Sequence, residues 1–572
     1  MYAISRQHIM RKTRSAQAVA LPALASLAAA LIVPFAPARA LAEGACGAYA
    51  TSPGAPPTTA SAELARELLA IPDATTALAG IEPVTASGAL PAYCRVRGTT
   101  TPQVNFELRL PANWNGKFLM QGCGGMCGWV NMGAAEDSLE RGYAVVNTDM
   151  GHQGAPSTAA WAYNNRSAEL DFAYRATWTT AVVAKRIATR FYGTAPRRTY
   201  FNGCSTGGRQ GLLVAQRFPE LFDGVIAGAP VMNQTGVGML HLLWSARANV
   251  DATGRPILAK ATLERVRERV LAACDRQDGV ADGVIPDPRA CEWRPETLAC
   301  DAAVARAAGA PGPVAANCLS AAELGALRRL YDGASNSTGS LARAGGGGGL
   351  ARGSEYAWVP VFVNEAGRHG LLYENPGMIG EILQFKAFYD DPGPAISIRD
   401  FDFERDPPRL ALTEAFYNVQ NPDLRRFQAR GGRLILYHGW DDAEVTPGNT
   451  VDYYETATRT MGGPGPTRDF FRLFMVPGMG HCRRGVGADA IDYVGYLERW
   501  VEGGEAPDAM LAHKLVKEQS YLGLPRPRFP LPPAEYTWRR PVFAYPEIAV
   551  HSGKGDWRDP STWRARRPPA AR

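Results

Sequence analysis

Short, almost wholly apolar runs alternate with helix-period segments over two separate stretches of this chain. "KFLMQG" (117–122), "YAVVNTD" (143–149), "RTYFNG" (198–203) and "GVIAGAP" (224–230) read as strands buried on both faces. Between them "ATWTTAVVAKRIATRFYG" (176–193) predicts an amphipathic helix closed by Gly193, and "GRQGLLVAQRFPELF" (208–222) predicts a second. The rhythm returns near residue 425, with strands at "GRLILYHG" (432–439) and "FFRLFMVPG" (470–478). Helices follow at "NTVDYYETATRTMG" (449–462) and "AIDYVGYLERWVEGG" (490–504). Strands alternating with helices predict an α/β fold, a mostly parallel sheet flanked by helices.

From 233 to 424 the rhythm is lost. Four cysteines, irregular Pro and Gly, and "AGGGGGLARGS" (344–354) replace it. This predicts a large inserted lid within one α/β domain, whose halves are 43–232 and 425–510, followed by a C-terminal extension at 511–572. A chain of 572 residues has room for such a body and insertion.

The first forty residues are of another kind. A basic start leads into "AVALPALASLAAALIVPFA", then small residues with cleavage positions after Ala40 or Ala42. This is the layout of a secretory signal at 1–42; a membrane anchor is the alternative reading. No other apolar stretch is long and charge-free enough to span a bilayer, so no stable membrane insertion is expected after cleavage. The formal charge of +6 falls to about +1 without the leader, which holds five basic residues and no acid. A near-neutral chain offers no electrostatic case for nucleic acid, and "WRARRPP" near the end reads as a solvated tail. Ten cysteines, all after the leader, suggest five disulfides and a secreted or periplasmic protein. No C-x-x-C pair supports zinc. Nothing in the sequence sets an oligomeric state.

The chemistry gathers at the ends of the predicted strands. In "YFNGCSTGGRQG" (200–211) Ser205 stands between a strand and a helix, with Gly203 and Gly207 at the spacing of a G-x-S-x-G nucleophile elbow. Such a turn lifts the hydroxyl above the sheet and aims the Thr206 amide at a developing oxyanion. A serine needs a base. His481 in "VPGMGHCRRG" follows one late strand, and Asp442 in "HGWDDAEV" follows another. Ser, Asp, His is the chain order of an α/β-hydrolase triad. Asp441 remains the other acid, a solvated or capping residue in the plainer reading, and His438 reads as a pocket-wall residue. Cys204 precedes Ser205 and Cys482 follows His481, so a hydrogen-bonded Ser–His pair would bring the two sulfurs within disulfide reach.

"GCSTGGRQG", "HGWDD" and "GMGHC" together resemble the tannase and feruloyl esterase family of α/β-hydrolases. "NTDMGH" (147–152), "LDFAYRA" (170–176) and "RFPELFDGVIAGAP" (217–230) extend the likeness across roughly 90–505. The resemblance implies an α/β-hydrolase fold, a Cys204–Cys482 bridge beside the catalytic pair, and hydrolysis of an aromatic ester, a small-molecule substrate. It also implies a lid Ca2+ held by Asp275, Asp278 and Asp282 with the carbonyls of Val280 and Val284. Unaided, that stretch reads equally as a solvated acidic turn. Cys274–Cys291, Cys300–Cys318 and Cys46–Cys94 then follow as staples, and Cys123 with Cys127 would stiffen "QGCGGMCG" (121–128). An amide of that loop, Gly124 or else Gly125, would join Thr206 in an oxyanion hole. Trp358, Phe362, Phe385 and Phe388 are lid candidates for holding an acyl ring, although core packing is the simpler reading of each. Arg352 and Arg368 could meet the distal carboxylate of a terephthalate half-ester. Hydroxycinnamoyl or galloyl esters need only neutral partners and are the expected substrates. A non-catalytic binding protein on the same scaffold, a peptidase and a lipase remain alternatives.

Overall fold

The computed structural model describes residues 46–51, 56–310, 317–341, 348–365, 368–375, 377–385, 396–518 and 527–568. The leader, most of the glycine run, Phe388 and the side chain of Phe385 lie outside the described residues. Strands β1 (Thr76–Val84), β2 (Tyr93–Thr100) and β3 (Val104–Pro111) run antiparallel. From β4 (Lys117–Gln121) onward the sheet is parallel, through β5 (Ala144–Thr148), β6 (Arg198–Cys204), β7 (Gly224–Gly228), β8 (Arg433–Gly439) and β9 (Phe471–Val476). The spatial order is β1-β2-β3-β5-β4-β6-β7-β8-β9, with β5 joining β3 antiparallel.

The apolar runs are explained by burial on both faces. Phe118, Phe201, Val225, Leu434 and Leu473 point to one side, under helices α1 (Ala176–Tyr192), α2 (Thr206–Arg217) and α3 (Pro447–Thr460). Leu119, Tyr200, Ile226, Ile435 and Phe474 point to the other, under Val494, Leu497 and Trp500 of α4 (Tyr493–Gly503). This is an α/β-hydrolase sheet. The half-buried alternation of β2 and β3 and the mostly unburied β1 give a weaker signal than the central strands.

The inserted region folds as helices, including 242–248, 260–274 and 321–332, that share a core with the body. Met126, Met150 and Phe172 of the body pack in one cluster with Leu243, Val266, Leu327 and Ile382 of the lid. Trp358 and Phe362 sit inside that cluster without exposed surface. Trp358 Nε1 donates to Ser354 Oγ at 2.9 Å, and Phe362 packs edge-on to His241. Both side chains are core, not walls of an acyl pocket. The C-terminal segment pairs 509–515 with 536–543, starting just before the boundary drawn from sequence, and passes beside β9, where Tyr545 N donates to Leu473 O at 2.8 Å. No helix among the described residues is long and apolar enough to cross a membrane.

All ten cysteines are bonded as expected: Cys46–Cys94, Cys123–Cys127, Cys204–Cys482, Cys274–Cys291 and Cys300–Cys318.

Candidate active site

Ser205 lies between β6 and α2 with φ 63° and ψ −123°, a left-handed backbone that non-glycine residues adopt at a cost. The turn is possible because its flanks lack side chains. A Cβ on Gly203 would come within 2.5 Å of the Gly207 backbone, and one on Gly207 within 2.8 Å of Cys123 O. The Ser205 amide donates to Gly228 O at 2.9 Å, which pins the turn to β7. Among the described residues Ser205 Oγ has no hydrogen-bond partner, and catalytic contacts of this kind often tighten only in the complex with substrate.

His481 and Asp442 come from the loops after β9 and β8. His481 Nδ1 lies 2.7 Å from Asp442 Oδ2, and Asp442 has no exposed surface. The amides of Glu444 and Val445 both donate to Asp442 Oδ1 at 2.9 Å. Burial works to raise the pKa of Asp442, but the charge on His481 and the hydrogen bonds from both histidines outweigh it and hold the carboxyl well below its usual range. Burial works to lower the pKa of His481; attraction to Asp442, then Glu444, prevails and raises it. The Cys204–Cys482 bridge, with Cα atoms 6.0 Å apart, ties the elbow to the His481 loop.

Two residues do not sit as the sequence suggested. His438 is fully buried behind the triad acid instead of lining a pocket. Its Nε2 faces Asp442 Oδ2 at 3.1 Å and Val445 O at 2.9 Å, two acceptors, so this nitrogen carries the proton. Thr450 Oγ1 lies 2.7 Å from Nδ1 and is left as its donor. Asp441 is neither solvated nor a helix cap. It is buried, interacts with Tyr356 of the lid, and its pKa is pushed up to about 7, by burial first, with the Tyr356 hydroxyl and Arg267 opposing. His241, which the sequence did not flag, faces Ala443 O at 3.1 Å and braces the same loop.

The glycine loop lies against the elbow. Thr206 Oγ1 donates to Gly125 O at 2.6 Å, and Cys123 N donates to Gln210 Oε1 at 3.2 Å. The Thr206 amide opens helix α2 and has no acceptor within it. Among the described residues, the amides of Thr206 and of the Gly124–Gly125 segment have no hydrogen-bond acceptor. A strained serine, a paired histidine and unengaged amides at one sheet edge can support nucleophilic acyl transfer.

Comparison with known proteins identifies the family. A family model described as "Tannase and feruloyl esterase" matches residues 86–565. The chain belongs to the tannase and feruloyl esterase family. It is a carboxylic ester hydrolase. Mono(2-hydroxyethyl) terephthalate hydrolase of Piscinibacter sakaiensis is 33% identical over 544 residues, covering 85% of this chain and 87% of that protein. Feruloyl esterase B of Aspergillus niger is 30% identical over 478 residues, covering 80% and 82%. The crystal structure of feruloyl esterase B from Aspergillus oryzae superposes with a TM-score of 0.70 at 26% identity, over 86% of this chain and 96% of that one. The tannin acyl hydrolase from Aspergillus niger shares the fold, with a TM-score of 0.65 at 21% identity, over 88% and 94%.

The acidic turn at 275–284 is built from buried carboxylates. Asp275 Oδ2 accepts from Gly283 N at 3.1 Å, while its Oδ1 is buried without a hydrogen-bond partner. Asp278 and Asp282 accept from the amides of Val280 and Val284, and both pair with Arg540 of the C-terminal segment. Burial raises the pKa of both acids, that of Asp282 to about 6, with Arg540 opposing. No group of three His, Cys, Asp or Glu side chains among the described residues is arranged to hold a metal ion, and in this turn Arg540 engages two of the three acids. Three carboxylates against one guanidinium still leave a surplus of negative charge and an orphaned oxygen, a donor set that suits a hard divalent cation.

Proposed function

We propose that this chain is an exported serine esterase that cleaves esters of aromatic acids, of the hydroxycinnamoyl or galloyl type, through an acyl-enzyme. Ser205 attacks the ester carbonyl while His481 takes its proton and later returns it to the leaving alcohol. Asp442 holds the imidazole in the productive tautomer and stabilises its charged form, and His438 supports Asp442 from behind. The amides of Thr206 and Gly124 receive the oxyanion. Water then attacks the acyl-enzyme and the acid departs. The observation that carries this reading is the Cys204–Cys482 bridge between the neighbours of Ser205 and His481, combined with the 2.7 Å contact from His481 to Asp442.

The acyl group is read from similarity and from the lid. Feruloyl esterases are among the relatives. Arg352, considered for a distal carboxylate, is engaged elsewhere: it donates to Trp293 O at 2.9 Å and lies over the Tyr331 ring. Arg368 is exposed. Both facts favour a neutral phenolic acyl group. The terephthalate half-ester is the second reading, favoured by the 33% identical hydrolase. The test compares kcat/KM for methyl ferulate, methyl gallate and mono(2-hydroxyethyl) terephthalate, with Ser205→Ala as control. The phenolic esters are expected to lead, and the control to lose about 10⁴-fold or more. Undiminished turnover by Ser205→Ala would remove the assignment.

The secretory leader and five disulfides support export to an oxidising compartment. Asp275, Asp278 and Asp282, with the carbonyls of Val280 and Val284, would hold a structural Ca2+ that supplies charge and rigidity to the lid. A chelator is expected to lower the Tm; an unchanged Tm would count against the ion.

A further inference from the structure

Tyr356 lies in the lid, yet its hydroxyl reaches the two loops that carry Asp442 and His481. It donates to Gly478 O across a long 3.5 Å contact, and the amide of Val486 donates to it at 3.3 Å. Gly478 and Val486 bracket His481 in the β9–α4 loop. The same hydroxyl interacts with the buried carboxyl of Asp441, the chain neighbour of Asp442. Gly485 leaves room for it, because a Cβ there would come within 2.8 Å of Tyr356 Oη. The two loops also meet directly, Asp441 N donating to Met479 O at 3.0 Å. The lid hydroxyl therefore sits at the junction of the acid and base loops.

The ring of Tyr356 is held in turn. The Arg267 guanidinium lies 5.0 Å from its centroid. Arg267 donates to Gly353 O at 3.1 Å and to Gly283 O, in the acidic turn, at 2.9 Å. One continuous set of contacts thus runs from the acidic turn through Arg267 and Tyr356 to the triad loops.

We infer that Tyr356 is a positioning residue for ester hydrolysis: it holds the Asp442 and His481 loops in register, and Arg267 makes that register depend on the order of the lid's acidic turn. The inference rests on the triad reading above. It gives the inserted region a part in the chemical step. The charged groups acting on His481 are Asp442, Glu444 and Arg483; those facing Tyr356 are Asp441 and Arg267.

The test is Tyr356→Phe in the full-length protein, assayed with methyl ferulate, or with whichever panel ester the enzyme turns over best. We expect kcat to fall about tenfold with KM within about twofold. The acid limb of kcat/KM moves to lower pH, because a looser His481–Asp442 contact holds the imidazolium less well. An unchanged limb with kcat within twofold overturns the inference, and so does a rise in KM alone, which would make Tyr356 a substrate contact. Arg267→Gln keeps the hydroxyl and supplies a second measurement. Its kcat loss should not add to that of Tyr356→Phe in the double variant; additive losses overturn the coupling. Ser205→Ala separates the two levels. If it stays active the triad reading fails, whereas loss in Ser205→Ala with a normal Tyr356→Phe defeats this inference alone.

Discussion

Asp442 and Asp278 are both carboxylates without exposed surface, yet they titrate in opposite directions. Asp442 receives two backbone amides and two histidines. Asp278 has one amide and a guanidinium that it shares with Asp282, and the carboxylate of Asp275 lies nearby. Burial raises both pKa values; the partners decide the outcome. The triad region is self-sufficient in charge, whereas the acidic turn is not, and the proposed Ca2+ would supply the charge it lacks.

The comparison breaks most visibly at the triad. Asp442→Asn keeps the shape but removes the charge that balances His481. We expect kcat to fall about 10⁴-fold, and the acid limb of kcat/KM to drop, because the neutral neighbour no longer raises the His481 pKa. In the wild type that limb should lie above the ordinary histidine range, activity being lost as pH falls through the raised pKa. At the acidic turn, Arg540→Gln leaves Asp278 and Asp282 without their guanidinium. A loss of about 3–5 kcal/mol is expected in chelator, with much of it restored by millimolar Ca2+. No recovery with Ca2+ would mean that the turn relies on arginine alone.

A smaller effect distinguishes Asp441 from its neighbour. The folded pKa of Asp441 is raised to about 7 from the ordinary aspartate value of 3.8. Between these values the folded state binds more protons than the unfolded, so this group's contribution falls as pH rises from about 4 to about 7. Asp442 behaves oppositely: its folded pKa is depressed, so its contribution is present above about pH 4 and lost on acidification. Asp441→Asn should therefore raise the Tm, relative to wild type, more at pH 8 than at pH 5; an equal difference at both would contradict its burial in charged form.

Parts of this were legible because backbone physics left one solution. A serine at positive φ needs glycines beside it, and "GCSTGG" displays them. The central strands announced themselves by burial on both faces. Asp441 and Asp442 could be ranked by motif, but the buried state of the first depends on Tyr356, 85 positions away in a region without periodic pattern. His438 looked like a pocket residue because its four-residue offset from Asp442 spans a strand end and a turn, where helical neighbour rules do not apply. Core packing is the simpler reading of Trp358 and Phe362 in sequence, and the cluster built around them decides for it. Arg540 meets Asp278 across a separation of 262 residues, which no local signal reveals.

The most direct test of the central claim is to react the oxidised protein with an aryl phosphonate ester and map the adduct in a non-reduced digest. The account predicts one adduct, on Ser205, in a peptide still joined through Cys204 to the peptide bearing His481 and Cys482, with ester turnover lost in proportion to labelling. An adduct on another residue, or full turnover by protein labelled at Ser205, would contradict it.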